Sequence, residues 1–139
     1  MKISWNEISV ATDKKSSDPT DFLKELCNSD DKLLDAVMFM ILLEPSRQIP
    51  QLGGEEALLK AARAFEEKSN TVGARINYET LAKVSFYRSR PEEAKGFISK
   101  CEKIATNERR EKYRFILQNF EKVFDVVKRF YDRAGERML

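Results

Sequence analysis

The chain has 139 residues, which is the length of one domain, and it is 42% hydrophobic and 35% charged with a net charge of +2. It contains no histidine, which excludes the commonest general base, the Ser–His and Cys–His nucleophile systems and the usual zinc ligand. Only 5 Gly and 4 Pro interrupt a sequence rich in Lys, Glu, Ala and Leu, and this composition predicts an all-α fold.

Charge is divided unevenly along the chain. Residues 1–73 carry 9 Lys/Arg against 13 Asp/Glu, and residues 74–139 carry 16 against 10. Such a division makes the molecule dipolar. It favours either the steering of a charged partner to one end or a head-to-tail contact between two copies.

The first 17 residues are predicted to form an N-terminal arm, ahead of a single helical domain over residues 18–139. The segment "ISWNEISV" follows neither a helical nor a strand period, and "ATDKKSSD" is a polar linker. Asp18-Pro19 then begins a helix, because Asp is a favoured N-cap and Pro is favoured at the first helical position.

The most buried helix is predicted to follow. Ser29 or Asp30 caps it, and the run Ala36–Leu43 is apolar all round. This run is far shorter than the roughly 20 residues that span a bilayer, and the chain start lacks the apolar stretch of a secretory signal. Since Cys27 and Cys101 are isolated from each other, we expect a cytoplasmic protein with reduced thiols and no membrane partner.

Two amphipathic helices are predicted after a connector that holds two prolines and two glycines. Five residues form the apolar stripe of the first: Ala57, Leu58, Ala61, Ala64 and Phe65. Asn70 is expected to end this helix and Thr71 to cap the next one. The second helix is predicted to turn Ile76, Leu81 and Val84 inward.

The stretch "YRSRPEEAKGF" at residues 87–97 is predicted to join two helices, because Arg90 precedes a proline and Pro91 with two acids makes a strong helix start. Asn107 then caps a last helix of about 27 residues, or about 40 Å. Its apolar positions repeat every seven residues, as at Tyr113, Phe120 and Val127. The whole pattern predicts stacked antiparallel helical hairpins, five or six helices in all, with a long C-terminal helix.

Residues 75–106 resemble a tetratricopeptide repeat. Six residues match the order of large and small side chains in that family: Tyr78, Leu81, Ala82, Ala94, Ile98 and Cys101. Ser85, Ser89-Arg90 and Thr106 depart from it. A weak echo lies upstream, where "GEEA" parallels "PEEA", and its first helix would be residues 33–43. The resemblance implies stacked hairpins and a surface that holds other proteins.

The remaining candidates for chemistry are carboxylates. Asp30, Asp31 and Asp35 suit either a hard cation or the positive end of a helix, and we favour the second role. Adjacent Glu pairs point about 100° apart on a helix, so they do not share a site. No phosphate-binding glycine motif occurs. We therefore expect a protein that is not an enzyme and holds no cofactor or metal.

The second half of the chain is rich in arginine, and six of its residues are the candidate contacts to a partner or to nucleic acid: Tyr87, Arg88, Arg90, Arg109, Arg110 and Arg114. Basic and aromatic side chains together contact phosphates and stack on bases. Acids are interleaved with them at i,i+4 spacing, which is more typical of a solvated helix surface.

The sequence therefore predicts a non-enzymatic protein–protein interaction module, a small helical adaptor or assembly subunit that binds either a protein partner or a second copy through its C-terminal helix. The alternative is a nucleic-acid-binding accessory subunit that uses the basic C-terminal half.

Overall fold

The computed structural model describes residues 19–42, 49–51 and 53–138, and this part of the chain is helical with no strand. The predicted N-terminal arm and its Asp18 cap lie outside the described residues. Seven helices follow in chain order: α1 Pro19–Leu26, α2 Asp31–Met40, α3 Gly54–Glu67, α4 Thr71–Tyr87, α5 Pro91–Ile104, α6 Asn107–Gln118 and α7 Phe120–Met138. Residues 49–51 add one helical turn. The all-α prediction is confirmed, and the described part alone exceeds the five or six helices expected.

The predicted long C-terminal helix is in fact two helices that separate at Asn119. This residue has φ −118° and ψ 29°. Its side-chain amide and its backbone N–H both donate to the Phe115 carbonyl, at 3.0 Å each, and the Asn119 carbonyl accepts from Val123 to start α7. The side chain thus competes for a backbone acceptor, as Asn often does. No Pro or Gly signals the break, which is why the seven-residue repeat read as one helix.

The turns on either side of α4 have the same backbone form. Ser69 and Ser89 adopt left-handed φ values of 58° and 56°. After each, a backbone N–H reaches back to a carbonyl of the helix before it, Asn70 to Phe65 at 2.8 Å and Arg90 to Ser85 at 2.9 Å. These are Schellman endings, which hold three-residue connections between neighbouring helices.

Helix starts agree with the sequence at two places and differ at two others. Asp30 caps α2 by accepting from the Leu33 N–H at 3.1 Å, and Pro91 stands at the first position of α5. Asn70, however, is not the end of α3 but the cap of α4, because its side chain accepts from the Gly73 N–H at 2.9 Å. Thr71 lies inside that helix. Asn107, which was predicted to cap the last helix, is the first residue of α6, and the cap is Thr106.

Helices α3 to α6 pack each against the next in chain order, and α7 packs against α1, α2 and α4. The final helix therefore returns to the start of the domain and closes the core. Its largest fully buried side chains include Tyr78, Tyr113, Phe86 and Phe130. In the described ranges we find no helix with the length and apolar content needed to cross a bilayer.

In two helices the buried residues differ from those predicted from the sequence. In α3, the buried residues are Leu58 and Ala62, whereas Ala57 and Ala64 are exposed. In α4, Leu81 and Val84 are buried as expected, but Ile76 is 49% exposed. Helix α3 packs against α4, so the described contacts give no support to its pairing with residues 33–43.

Candidate interaction surface

A single carboxylate on α4 is surrounded by three cations from two helices. The Glu79 side chain is 15% exposed, and its Oε1 lies 3.5 Å from Arg75 Nη1 and 3.7 Å from Arg109 Nη1. Its Oε2 lies 3.6 Å from Lys83 Nζ. The Tyr113 hydroxyl donates to Oε1 as well. One negative charge therefore offsets three positive ones, which leaves this part of the surface cationic.

The groups beneath this cluster are held protonated. Burial raises the pKa of the Cys101 thiol to about 12, with the nearby Glu79 charge as a second cause. Burial, followed by the hydrogen bond to Glu79, raises the pKa of Tyr113 above its ordinary value. The Cys101 thiol donates to the Arg75 carbonyl at 3.7 Å. At neutral pH these groups are protonated and act as hydrogen-bond donors to Glu79 and to the Arg75 carbonyl.

Lys83, which also contacts Glu79, and Lys112 lie over an aromatic ring of α2. Lys112 Nζ is 4.7 Å and Lys83 Nζ is 5.5 Å from the centre of the Phe39 ring, and that ring also packs on Tyr113 at 5.8 Å between centroids. Lys112 contacts Asp35 at 3.3 Å. The cation–π contacts hold both lysines near the same edge of the molecule as Glu79.

The neighbouring part of α4 exposes two large apolar side chains. Val72 is 59% and Ile76 is 49% exposed, and they lie one turn apart on the same face. Val72 and Arg75 line a cleft with Thr106 and Arg109. A second cleft, which shares Thr106 and Arg109, extends to Phe39 and Lys112. We call these two adjoining clefts, bordered by Val72, the α4–α6 groove; Ile76 lies one turn further along α4.

The first turn of α6 opens into the α4–α6 groove. Thr106 is its N-cap residue, yet its side chain makes no capping hydrogen bond. The backbone N–H groups at the start of a helix carry a partial positive charge. The start of α6 therefore carries a partial positive charge, as the side chains of Arg75 and Arg109 carry full positive charges.

The six predicted contact residues fall into two groups. Arg88 Nε lies 3.3 Å from Glu55 Oε2 and Arg90 Nη1 lies 3.1 Å from Glu55 Oε1, so this one carboxylate holds both sides of the α4–α5 turn. Tyr87 is half-buried and packs edge-on against Tyr131, at 5.1 Å between centroids. The first group thus ties the turn to α3 and to α7.

The second group lies around the α5–α6 turn. Arg110 donates to the Glu102 carbonyl at 3.2 Å and to the Lys103 carbonyl at 3.3 Å, which satisfies the end of α5. Arg114 contacts Glu102 and Glu111, at 3.2 Å each. Arg109 alone of this group lines the α4–α6 groove. The 14 residues of α5 separate the two groups by about 20 Å, so the structure does not bring them together.

Three residues that line the groove and the carboxylate beneath them were not among the six predicted contacts: Val72, Arg75 and Lys112, with Glu79. Glu79 and its partner Arg109 are 30 positions apart, and no periodicity within one helix joins them. Ile76 was assigned to the core because it falls on an apolar repeat. Its apolar repeat predicted burial, whereas in the structure Ile76 is 49% exposed.

Searches with protein-family models, curated protein sequences and solved structures gave no match to this chain.

Proposed function

We propose that the protein is a non-enzymatic protein–protein interaction module, a small helical adaptor or assembly subunit. The observation that carries this proposal is the pair Val72 and Ile76, which remain 59% and 49% exposed beside a groove. Apolar side chains grouped at the edge of a depression, with charged groups around them, are typical of protein interfaces. Scattered single apolar residues would not support it.

The proposed architecture is a stack of helical hairpins. The succession of contacts from α3 to α6 supports it, as does the burial of all six residues that resemble a tetratricopeptide unit. In such stacks one row of helices faces the partner. We place Val72 and Ile76 of α4 on that row.

The apolar stripe of α7 is less suited to a second copy. Six of its residues are buried in the chain's own core: Phe120, Val123, Val126, Val127, Phe130 and Tyr131. Its exposed side carries charges such as Lys122, Lys128 and Arg129. Self-association through this helix stays a prediction, and the proposal uses α4 instead.

A nucleic-acid-binding function has less support. The five predicted arginines fall into two groups about 20 Å apart, at the two ends of α5, and only Arg109 lines the α4–α6 groove. The predicted Tyr87 is half-buried and packs edge-on against Tyr131, so its ring is not freely available to a base. Binding to nucleic acid depends on many unpaired cations along one surface.

The two cysteines and the acidic side chains also support a protein that is not an enzyme. Burial raises the pKa of the Cys27 thiol to about 11 and that of the Cys101 thiol to about 12, so both thiols stay protonated at neutral pH. Within the described ranges, no group of three acidic or thiol side chains is placed to hold a metal ion.

The experiment is a comparison of partners captured by three forms of the purified chain: wild type, V72D/I76D and K60D/A64D. The control pair lies at the same spacing on exposed positions of α3. We expect wild type and control to retain the same stoichiometric protein partner and V72D/I76D to lose it. Retention by all three forms would contradict the assignment of this surface. A salt-sensitive complex with RNA or DNA in place of a protein would favour the alternative function.

A further inference from the structure

We propose that the α4–α6 groove binds an acidic amphipathic segment of a partner protein, with two apolar side chains on Val72 and Ile76 and carboxylates on the cationic wall. This inference rests on the proposed function and adds the chemistry of the partner. Both apolar residues are on one face of α4, one helical turn apart. An occupant with apolar residues at i and i+3 or i+4 matches that spacing.

The positive charge of the groove lining favours an acidic bound segment. Its lining carries three cations, Arg75, Arg109 and Lys112, against one acid, Glu108. Glu79 lies beneath and is shared among Arg75, Lys83 and Arg109, while Asp35 contacts Lys112. With Lys83 included, four cations stand against Glu79, Glu108 and Asp35, so the wall keeps an excess of one positive charge. Facing groups of opposite charge favour association and reject basic partners.

The geometry of two donors strengthens this selection. Arg109 is 47% exposed while it contacts Glu79, so part of its guanidinium faces the groove and can take a second carboxylate. The uncapped first turn of α6 adds backbone N–H groups of the same sign at the Thr106 end. An aspartate or glutamate that follows the apolar pair would meet both. A basic or purely apolar segment would leave these donors without partners.

The test starts with a displayed library of random 16-residue peptides, selected on the wild-type chain and depleted on V72D/I76D. We expect the enriched peptides to share a net negative charge and two apolar residues three or four positions apart. Enriched peptides that are neutral or basic would overturn the proposal, and so would the absence of enrichment.

The strongest enriched peptide is then synthesised and titrated by fluorescence anisotropy. We expect R109Q to raise Kd by about fivefold to twentyfold, and added salt to weaken binding to the wild type. The control is R129Q, because Arg129 is also exposed and also paired with one carboxylate, Asp125 at 3.1 Å, but lies on α7. Its Kd should stay within about twofold of wild type. Equal effects of the two substitutions would overturn the role of the cationic wall.

Two other occupants give different results. If light scattering shows a dimer that V72D/I76D abolishes, the groove binds a second copy and the inference is wrong. If R109Q abolishes a salt-sensitive complex with RNA, the ligand is a nucleic acid and the inference is wrong. A captured partner that needs Val72 and Ile76 but binds through a non-acidic segment would refute the inference and leave the proposed function standing.

Discussion

Glu79 determines how Arg75, Lys83 and Arg109 are held, because all three contact its side chain within 3.7 Å and the carboxylate is 15% exposed. Replacing it by Gln leaves the cations facing one another and weakens the bond from Tyr113. We expect E79Q to lower the free energy of unfolding by about 2 kcal/mol. Urea unfolding at pH 7 measures this loss.

The control is E111Q, which makes the same change at another helical Glu with an arginine partner. Glu111 is 72% exposed in its contact with Arg114, so its loss should stay within about 0.5 kcal/mol. Similar losses in the two variants would mean that burial does not strengthen the Glu79 cluster.

The Cys101 thiol makes stability depend on alkaline pH. Its pKa is raised from 9.0 to about 12 in the folded chain, first by burial. Above pH 9 the unfolded chain loses the thiol proton while the folded chain keeps it. The unfolding free energy therefore falls as pH rises from 9 towards 12, by up to about 1.4 kcal/mol per unit for this group.

Urea unfolding from pH 8 to pH 10.5 checks this dependence. We expect C101A to show a shallower decline than wild type above pH 9, whatever its stability at pH 8. Parallel curves for the two proteins would show that this thiol does not titrate differently on unfolding.

At the residue scale, the sequence predicted some features of the site and not others. Arg109 was named as a contact because it stands in a basic cluster. Nothing near Glu79 in the sequence indicates that its partners come from α6, since the contact depends on how two helices pack. The same limit applies to Ile76, whose apolar repeat cannot show where the neighbouring helices end.

Between elements, Gly73 allows α4 to approach α3. A Cβ at this position would lie 2.8 Å from two ring carbons of Phe65. We expect G73A to lower the unfolding free energy by about 1–3 kcal/mol, because the ring must move in a packed contact. This loss outweighs the gain in helix propensity that Ala brings. Thermal unfolding followed by circular dichroism measures it.

Gly96 provides the matched control inside α5, because a Cβ there meets nothing within 4 Å. We expect G96A to raise the unfolding free energy by about 0.5–1 kcal/mol through propensity alone. The two substitutions should thus have opposite signs. A gain in both would show that Phe65 moves aside at little cost.

Element boundaries were predictable where a capping residue has one strong preference. Asp30 and Pro91 mark the starts of α2 and α5 in the structure, as their chemistry indicates. The left-handed turns use Ser69 and Ser89, where Gly is the usual residue, so the sequence predicted the places of these turns but not their left-handed backbone geometry. The break at Asn119 was missed for a similar reason, since Asn is tolerated within helices as well.

For the whole molecule, the packing of α7 on the first helices decides whether the chain unfolds in a single cooperative transition. A stack of helices with only neighbour contacts unfolds in pieces, and the eight residues of α1 are too few to persist alone. Helix α7 packs against α1, α2 and α4, which joins the first helices to the stack. The packing of α7 on the first helices was not predicted from the sequence, because α6 and α7 were expected to form one continuous helix without a break at Asn119.

Replacing Val127, which has no exposed surface, tests this closure. We expect V127A to reduce the opening free energy measured by hydrogen exchange by about 2 kcal/mol, and to do so equally in α1 and α3, although α3 packs on α4 rather than on α7. The control V72A makes the same change at an exposed position and should alter protection by less than about 0.5 kcal/mol. Loss of protection in α1 and α2 with α3 unchanged would show that the stack unfolds independently of the closing helix.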